Sequence, residues 1–154
     1  MRDVVDLEEL YPLILEVIEK GGEFHLFPRG TSMEPLLHAG DDSVMLGAVG
    51  EIKNGDVLFY RRKNGQFVLH RMVGKHKNTL TMRGDNQNAL EYGILPKQVF
   101  AKMVGFYKGD VYHSLDEKEY LEYTKKQLTR TPFYRKNPTL VNLLRKIKHL
   151  IKRS

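Results

Sequence analysis

Leu7, Leu10, Tyr11, Ile14, Val17 and Ile18 recur at helical spacing through residues 5–20. That spacing predicts an opening helix with one apolar face, stopped by Gly21-Gly22. Pro12 lies inside the span and predicts either a place in the first full turn or a kink. From Glu23 to Phe27 the period drops to two, as in a half-buried strand. Met33 to His38 reads as one short helical turn with Pro35 near its start. Ser43–Leu46, Asp56–Tyr60, Phe67–Val73, Thr79–Arg83 and Val99–Tyr107 then read as strands. Asn54-Gly55, Asn64-Gly65 and Gly84-Asp85-Asn86 separate them with turn chemistry, which makes 61–66 a hairpin tip. A short pair, Gly105–Lys108 with Val111–His113, closes the sheet. A helix follows from Asp116 to about Leu128, with Tyr120, Leu121 and Leu128 on its apolar side. Thr131-Pro132 interrupts, and Asn137-Pro138 opens a last helix to about Lys152. The pattern predicts a mainly β fold with flanking helices. It divides into an N-terminal helix at 1–22, a β domain at 23–114 and a helical extension at 115–154.

Composition adds two constraints. At 154 residues and 41% hydrophobic, the chain suits a single domain with one proper core. No window approaches eighteen uncharged apolar residues, so no transmembrane helix is expected. Met1 to Glu9 lacks the basic-then-apolar form of a signal peptide. Zero cysteines exclude disulfides and thiolate metal sites and fit a cytoplasmic protein.

The net charge of +6 is unevenly placed. Residues 125–154 hold ten Lys and Arg and no acid; the remainder carries fifteen basic against nineteen acidic residues, a net −4. In the last helix Leu140, Leu143, Leu144, Ile147, Leu150 and Ile151 form an apolar stripe opposite Arg145, Lys146, Lys148, His149 and Lys152. Such a helix suits an anionic membrane interface, or packs its stripe on the domain and leaves its basic face solvated. Nucleic acid is disfavoured as a partner, because the stripe lacks stacking aromatics.

Three short segments carry chemistry. Ser32 follows Gly30 and precedes Pro35, a context for a tight turn that projects a hydroxyl and frees backbone N–H groups. Its own amide is a natural oxyanion donor. It equally suits a helix-capping serine. His70 sits in an apolar strand, sharing a face with Val68 and Met72, and an imidazole there is placed to take a serine proton. A histidine merely packed on a sheet is the plainer alternative. Asp85 follows a glycine turn, either as the acid that orients a histidine or as a cap for its own turn. Arg71 alternates to the opposite face from His70, which leaves it at most an indirect role in orienting the acid. Arg29 suits a substrate carboxylate or plain solvation. No pair among the remaining histidines has metal-ligand spacing, and no cofactor is implied.

Ser32-Met33-Glu34-Pro35, then 55–60, Val68-Leu69-His70-Arg71-Met72-Val73-Gly74 and Gly84-Asp85-Asn86, stand in the order of the boxes of type I signal peptidases. The chain resembles the histidine-containing endoplasmic-reticulum and archaeal branch over roughly residues 23–107, and more distantly the LexA-type self-cleaving repressors. The resemblance implies a β-rich serine endopeptidase with Ser32 as nucleophile, His70 as general base and Asp85 as the acid. The branch also uses a second aspartate, and alignment puts Glu91 there. The hydroxyl residue often found two positions before the nucleophile is Gly30 here, which leaves Thr31 or backbone to assist the oxyanion hole. The implied partner is an extended peptide with small residues near the cut. Family members are normally membrane-anchored signal-peptide processors; without a span, a cytoplasmic or membrane-surface peptide is the expected substrate. A peptide-binding module of the same fold without turnover is the alternative. A self-cleaving repressor ranks last, since no lysine stands at the base position.

Overall fold

The computed structural model describes residues 6–130. The opening helix, α1 (Leu7–Glu19), is entered by Asp6, whose carboxylate accepts the Glu8 amide at 3.0 Å. Glu8 and Glu9 add negative charge to its first turn, where the helix dipole favours it. Pro12 lies within the helix. The exit pairs the Gly22 amide with the Val17 carbonyl and the Gly21 amide with Ile18, both at 2.9 Å, with Gly21 at φ +79°. That double bond is a Schellman stop, and its left-handed position is why a glycine stands there.

Eight strands follow: β1 (Phe24–Leu26), β2 (Ser43–Gly47), β3 (Val57–Arg61), β4 (Phe67–His76), β5 (Thr79–Arg83), β6 (Glu91–Ile94), β7 (Val99–Lys108) and β8 (Val111–Ser114). They form one antiparallel sheet in the order β1-β2-β7-β3-β4-β5-β6, with β8 beside β7. The fold is mainly β, as the alternation predicts. Apolar residues on both faces of the central strands create two cores. Val57, Phe59 and Leu69 face one core, shared with Ile14 and Ile18 of α1 and with Met33, Leu36 and Leu37. Leu58, Tyr60, Val68 and Met72 face the other, with Leu80, Met82, Ile94 and Val99. α2 (Lys118–Thr129) closes the first core with Tyr120.

The structure departs from the pattern in four places. Residues 32–36 form successive turns rather than a helical turn, with bonds from Glu34 to the Thr31 carbonyl and from Leu37 to Met33. The Glu34–Pro35 bond is cis. β4 continues to His76, because β5 pairs with it from Arg71 outward. β6 has no counterpart in the alternation: in Glu-Tyr-Gly-Ile only Ile94 is buried, so pairing with β5 rather than apolar period defines it. α2 begins at Lys118, after Glu117 and Asp116 are tied back to Ser114. The helix expected at 138–152 lies outside the described residues. Among those described, no helix is long and apolar enough to cross a membrane.

Candidate active site

The β3–β4 hairpin sets the register that matters most. Its tip closes with Arg62 donating to the Gln66 carbonyl (2.8 Å) and Gly65 to Arg62 (2.9 Å), with Gly65 at φ +91°. From there Tyr60 opposes Val68 and Leu58 opposes His70. Tyr60 and His70 are therefore diagonal neighbours on one face, close enough for their side chains to meet. The Tyr60 hydroxyl lies 3.5 Å from His70 Nδ1 and donates to Glu91 Oε1. Arg62 holds the same carboxylate, through Nε to Oε2 at 2.7 Å and Nη2 to Oε1 at 3.3 Å. His70 is 6% exposed. Burial first, and the Arg62 cation second, lower its pKa to about 4, against the upward pull of the Glu91 and Asp85 carboxylates. The ring is neutral at physiological pH, the form that accepts a proton.

Ser32 and His70, 38 positions apart in the chain, line one cavity of about 670 Å³. They are not hydrogen-bonded to each other; bonds of this kind commonly tighten only around substrate. Gly30, at φ +76°, turns the chain into the Ser32 loop. The loop is fastened from its carbonyl side: Asn86 donates its amide to the Ser32 carbonyl (2.9 Å) and its side chain to the Thr31 carbonyl (3.1 Å). The contact is so close that a Cβ at Gly84 would stand 2.6 Å from the Ser32 oxygen. The Thr31 and Ser32 carbonyls are occupied, whereas their N–H groups donate to no acceptor among the described residues. The expected oxyanion donors face no competitor there.

Asp85 does not sit on the His70 ring. Its carboxylate receives Arg71 Nε and Nη2, each at 2.8 Å, and the Tyr123 hydroxyl at 2.8 Å. The expectation that it orients the histidine directly is corrected by strand alternation: Arg71 and Asp85 meet on the face opposite His70. Arg71 is likewise no indirect bystander but the bidentate partner of the acid. Both are buried, at 0% and 1% side-chain exposure. Although burial acts downward, the Asp85 partnership raises the Arg71 pKa. Arg71 also donates to the Gly55 carbonyl (2.8 Å) and Thr124 (3.2 Å), and Arg130 donates to the Asp85 and Gln87 carbonyls. The Gly84-Asp85-Asn86 turn is thus a hub joining the Ser32 loop, β4 and α2. The acid connected to the ring is Glu91, through the Tyr60 hydroxyl that stands between them. Tyr60 carries no sequence signal for the site, because a tyrosine in an apolar strand reads as packing; Arg62 reads as a solvated charge at a hairpin tip and Tyr123 as one more residue of a helix.

The cavity runs along two strand edges. β1 pairs only with β2, and Phe67–His70 lies ahead of the point where β5 joins β4. Among the described residues neither edge has a second strand partner, and both line the cavity. Leu7, Leu10, Phe24, Met33, Phe59 and Phe67 make most of the wall apolar. Among the described residues, His25, Arg29, Arg62 and His70 are its ionisable members, and none that lines it is a carboxylate. Asp42 belongs elsewhere: although burial acts upward, Lys108 and the His38 and Gly109 amides hold its pKa at about 2. It anchors the turn before β2. No cluster of metal-ligating side chains occurs among the described residues. The chain matches no family model, and no curated protein or solved structure is significantly similar to it.

Proposed function

We propose that this chain is a serine endopeptidase resembling signal peptidase. The observation that carries the reading is that Ser32 and His70 both line one cavity, with the serine loop held by its carbonyls and its amides left to donate. In the proposed reaction Ser32 Oγ bonds to the scissile carbonyl carbon as its proton passes to His70 Nε2. The carbonyl oxygen takes the electron pair and meets the Thr31 and Ser32 amides. The C–N bond then breaks, and the leaving amine takes the proton from His70. Water attacks the acyl-enzyme by the same path in reverse, its proton going to His70 and then to Ser32 Oγ as the acid is released. An extended peptide would add to the unpaired edge of β1 or of Phe67–His70, main chain to main chain.

A second reading keeps the groove and removes turnover: a peptide-binding module. It is supported by the Arg71–Asp85 pairing, which leaves no carboxylate in direct contact with the ring. A fluorophosphonate probe separates the two. The enzyme labels in wild type and not in Ser32→Ala; a binding module takes no label in either. The basic C-terminal segment adds peripheral attachment to an anionic membrane surface, which would deliver the groove to peptides presented there.

A further inference from the structure

His70 has two ring nitrogens, and which one bears the proton decides whether it can act as a base toward Ser32. Around Nδ1 the structure holds one oxygen, the Tyr60 hydroxyl, at 3.5 Å. That hydroxyl has a single proton, and its bond to Glu91 uses it. What Tyr60 presents to the ring is then a lone pair, which only an Nδ1–H can meet. Glu91 is aimed by Arg62, which is itself braced by Gln66 at 2.6 Å. Asp85 cannot substitute, because Arg71 and Tyr123 hold it on the other face.

We infer that Tyr60 is a positioning residue that fixes the His70 tautomer, relaying the Glu91 carboxylate to Nδ1 so that Nε2 is left bare for the Ser32 proton. The inference rests on the serine-peptidase reading and adds a fourth member: Ser32, His70, Tyr60 and Glu91 act in line. When Nε2 takes the Ser32 proton, the ring becomes imidazolium and its Nδ1–H bond to Tyr60 strengthens. The phenol keeps its own proton, since burial and the Glu91 contact push its pKa far above the usual phenol range. The charged and titratable groups facing the ring are Tyr60 from β3, Arg62 from the hairpin tip and Glu91 from β6, while Asp85, on the opposite face, acts on it only through space. Of these, Tyr60 alone is placed to accept from Nδ1.

The test reads the tautomer directly and does not depend on turnover. Nitrogen-15 NMR of the full chain at neutral pH, with His70 assigned by its loss in His70→Gln, reports which nitrogen is protonated. Wild type is expected in the Nδ1–H form. Tyr60→Phe keeps the ring and removes the acceptor, so His70 shifts toward the Nε2–H form. Glu91→Leu frees the phenol proton to turn to Nδ1, which drives the same shift from an independent, less buried position. Fluorophosphonate labelling of Ser32 falls by about tenfold or more in both, while the melting transition stays cooperative. An Nε2–H tautomer in wild type, or an unchanged tautomer in both variants, overturns the inference even if Ser32 labels. Failure of wild type to label, with the tautomer shifts intact, overturns the peptidase reading and leaves Tyr60 as the residue that sets the ring.

Discussion

His70 and Asp85 show how a single side chain's surroundings decide what it can do. With its pKa lowered to about 4 by burial and Arg62, His70 remains neutral down to mildly acid pH. The labelling rate of Ser32 is therefore expected to hold from pH 7 to about 5 and to fall only near 4, rather than near the ordinary histidine value of 6.5; a rate–pH profile checks it. The same shift links to stability. The folded value lies below the unfolded one, so between about pH 6.5 and 4 the unfolded chain binds a proton that the folded chain refuses. Stability is unaffected above that window and drops by roughly 3 kcal/mol across it, measurable by denaturant titration. Asp85 makes a different prediction. Removing one partner of a buried ion pair costs about 3–5 kcal/mol, so Asp85→Ala is expected to lower the unfolding midpoint sharply. A variant that kept its stability and lost only labelling would return Asp85 to the catalytic machinery.

At the level of elements, turns were easier to read than the partners they create. Asn64-Gly65 marks the hairpin, but a tip at 61–66 would pair Tyr60 with Phe67; the strand instead runs one residue further, pairing Arg61 with Phe67 and Leu58 with His70. The hairpin was thus legible, whereas the register that sets Tyr60 diagonal to His70 was one residue away from the expected one. β6 was not legible, because an edge strand with one buried side chain has no period to show. The same holds for Arg71 and Asp85: alternation put Arg71 on the far face, and only the fold could bring the acid there too. Gly84 gives the element-scale test. A methyl group at that position meets the Ser32 carbonyl at 2.6 Å and the Gln87 side chain at 2.8 Å, so Gly84→Ala must push the two loops apart. Loss of Ser32 labelling is expected to exceed the loss of stability, and comparing the labelling rate with the melting midpoint decides it. A variant that labels as wild type would mean the turn does not support the nucleophile.

For the whole molecule, charge is segregated along the chain. Residues 125–154 carry ten basic residues and no acid, whereas the rest is net negative. If that segment binds a membrane surface, the protein co-sediments with anionic vesicles and not with neutral ones. About 1 kcal/mol per basic residue near the surface is enough for reversible attachment. Raising salt well above physiological strength, where the screening length is about 8 Å, is expected to release it. A protein that ignores anionic vesicles, or one held equally at high salt, would remove the electrostatic attachment. The groove has its own bias. With Arg29 and His25 on its wall, Arg62 already paired with Glu91, and no carboxylate among the described lining residues, a peptide carrying an acidic residue is expected to bind more tightly than its lysine counterpart. Equal affinities, measured by fluorescence anisotropy, would assign specificity to the apolar wall alone.

The hub at Asp85 also has a consequence for the order in which the protein is made. Ser32, His70, Tyr60 and Glu91 have all left the ribosome before α2 does, yet Tyr120, Tyr123 and Thr124 from that helix, and Arg130 just beyond it, complete the hub beneath the nucleophile loop. A nascent chain halted before Lys118 owns every reacting group and lacks the brace that aligns them. The proposed catalytic centre is thus expected to be silent until α2 has been made and has docked. If the chain is the proposed peptidase, that timing would protect the emerging chain from its own unfinished active site.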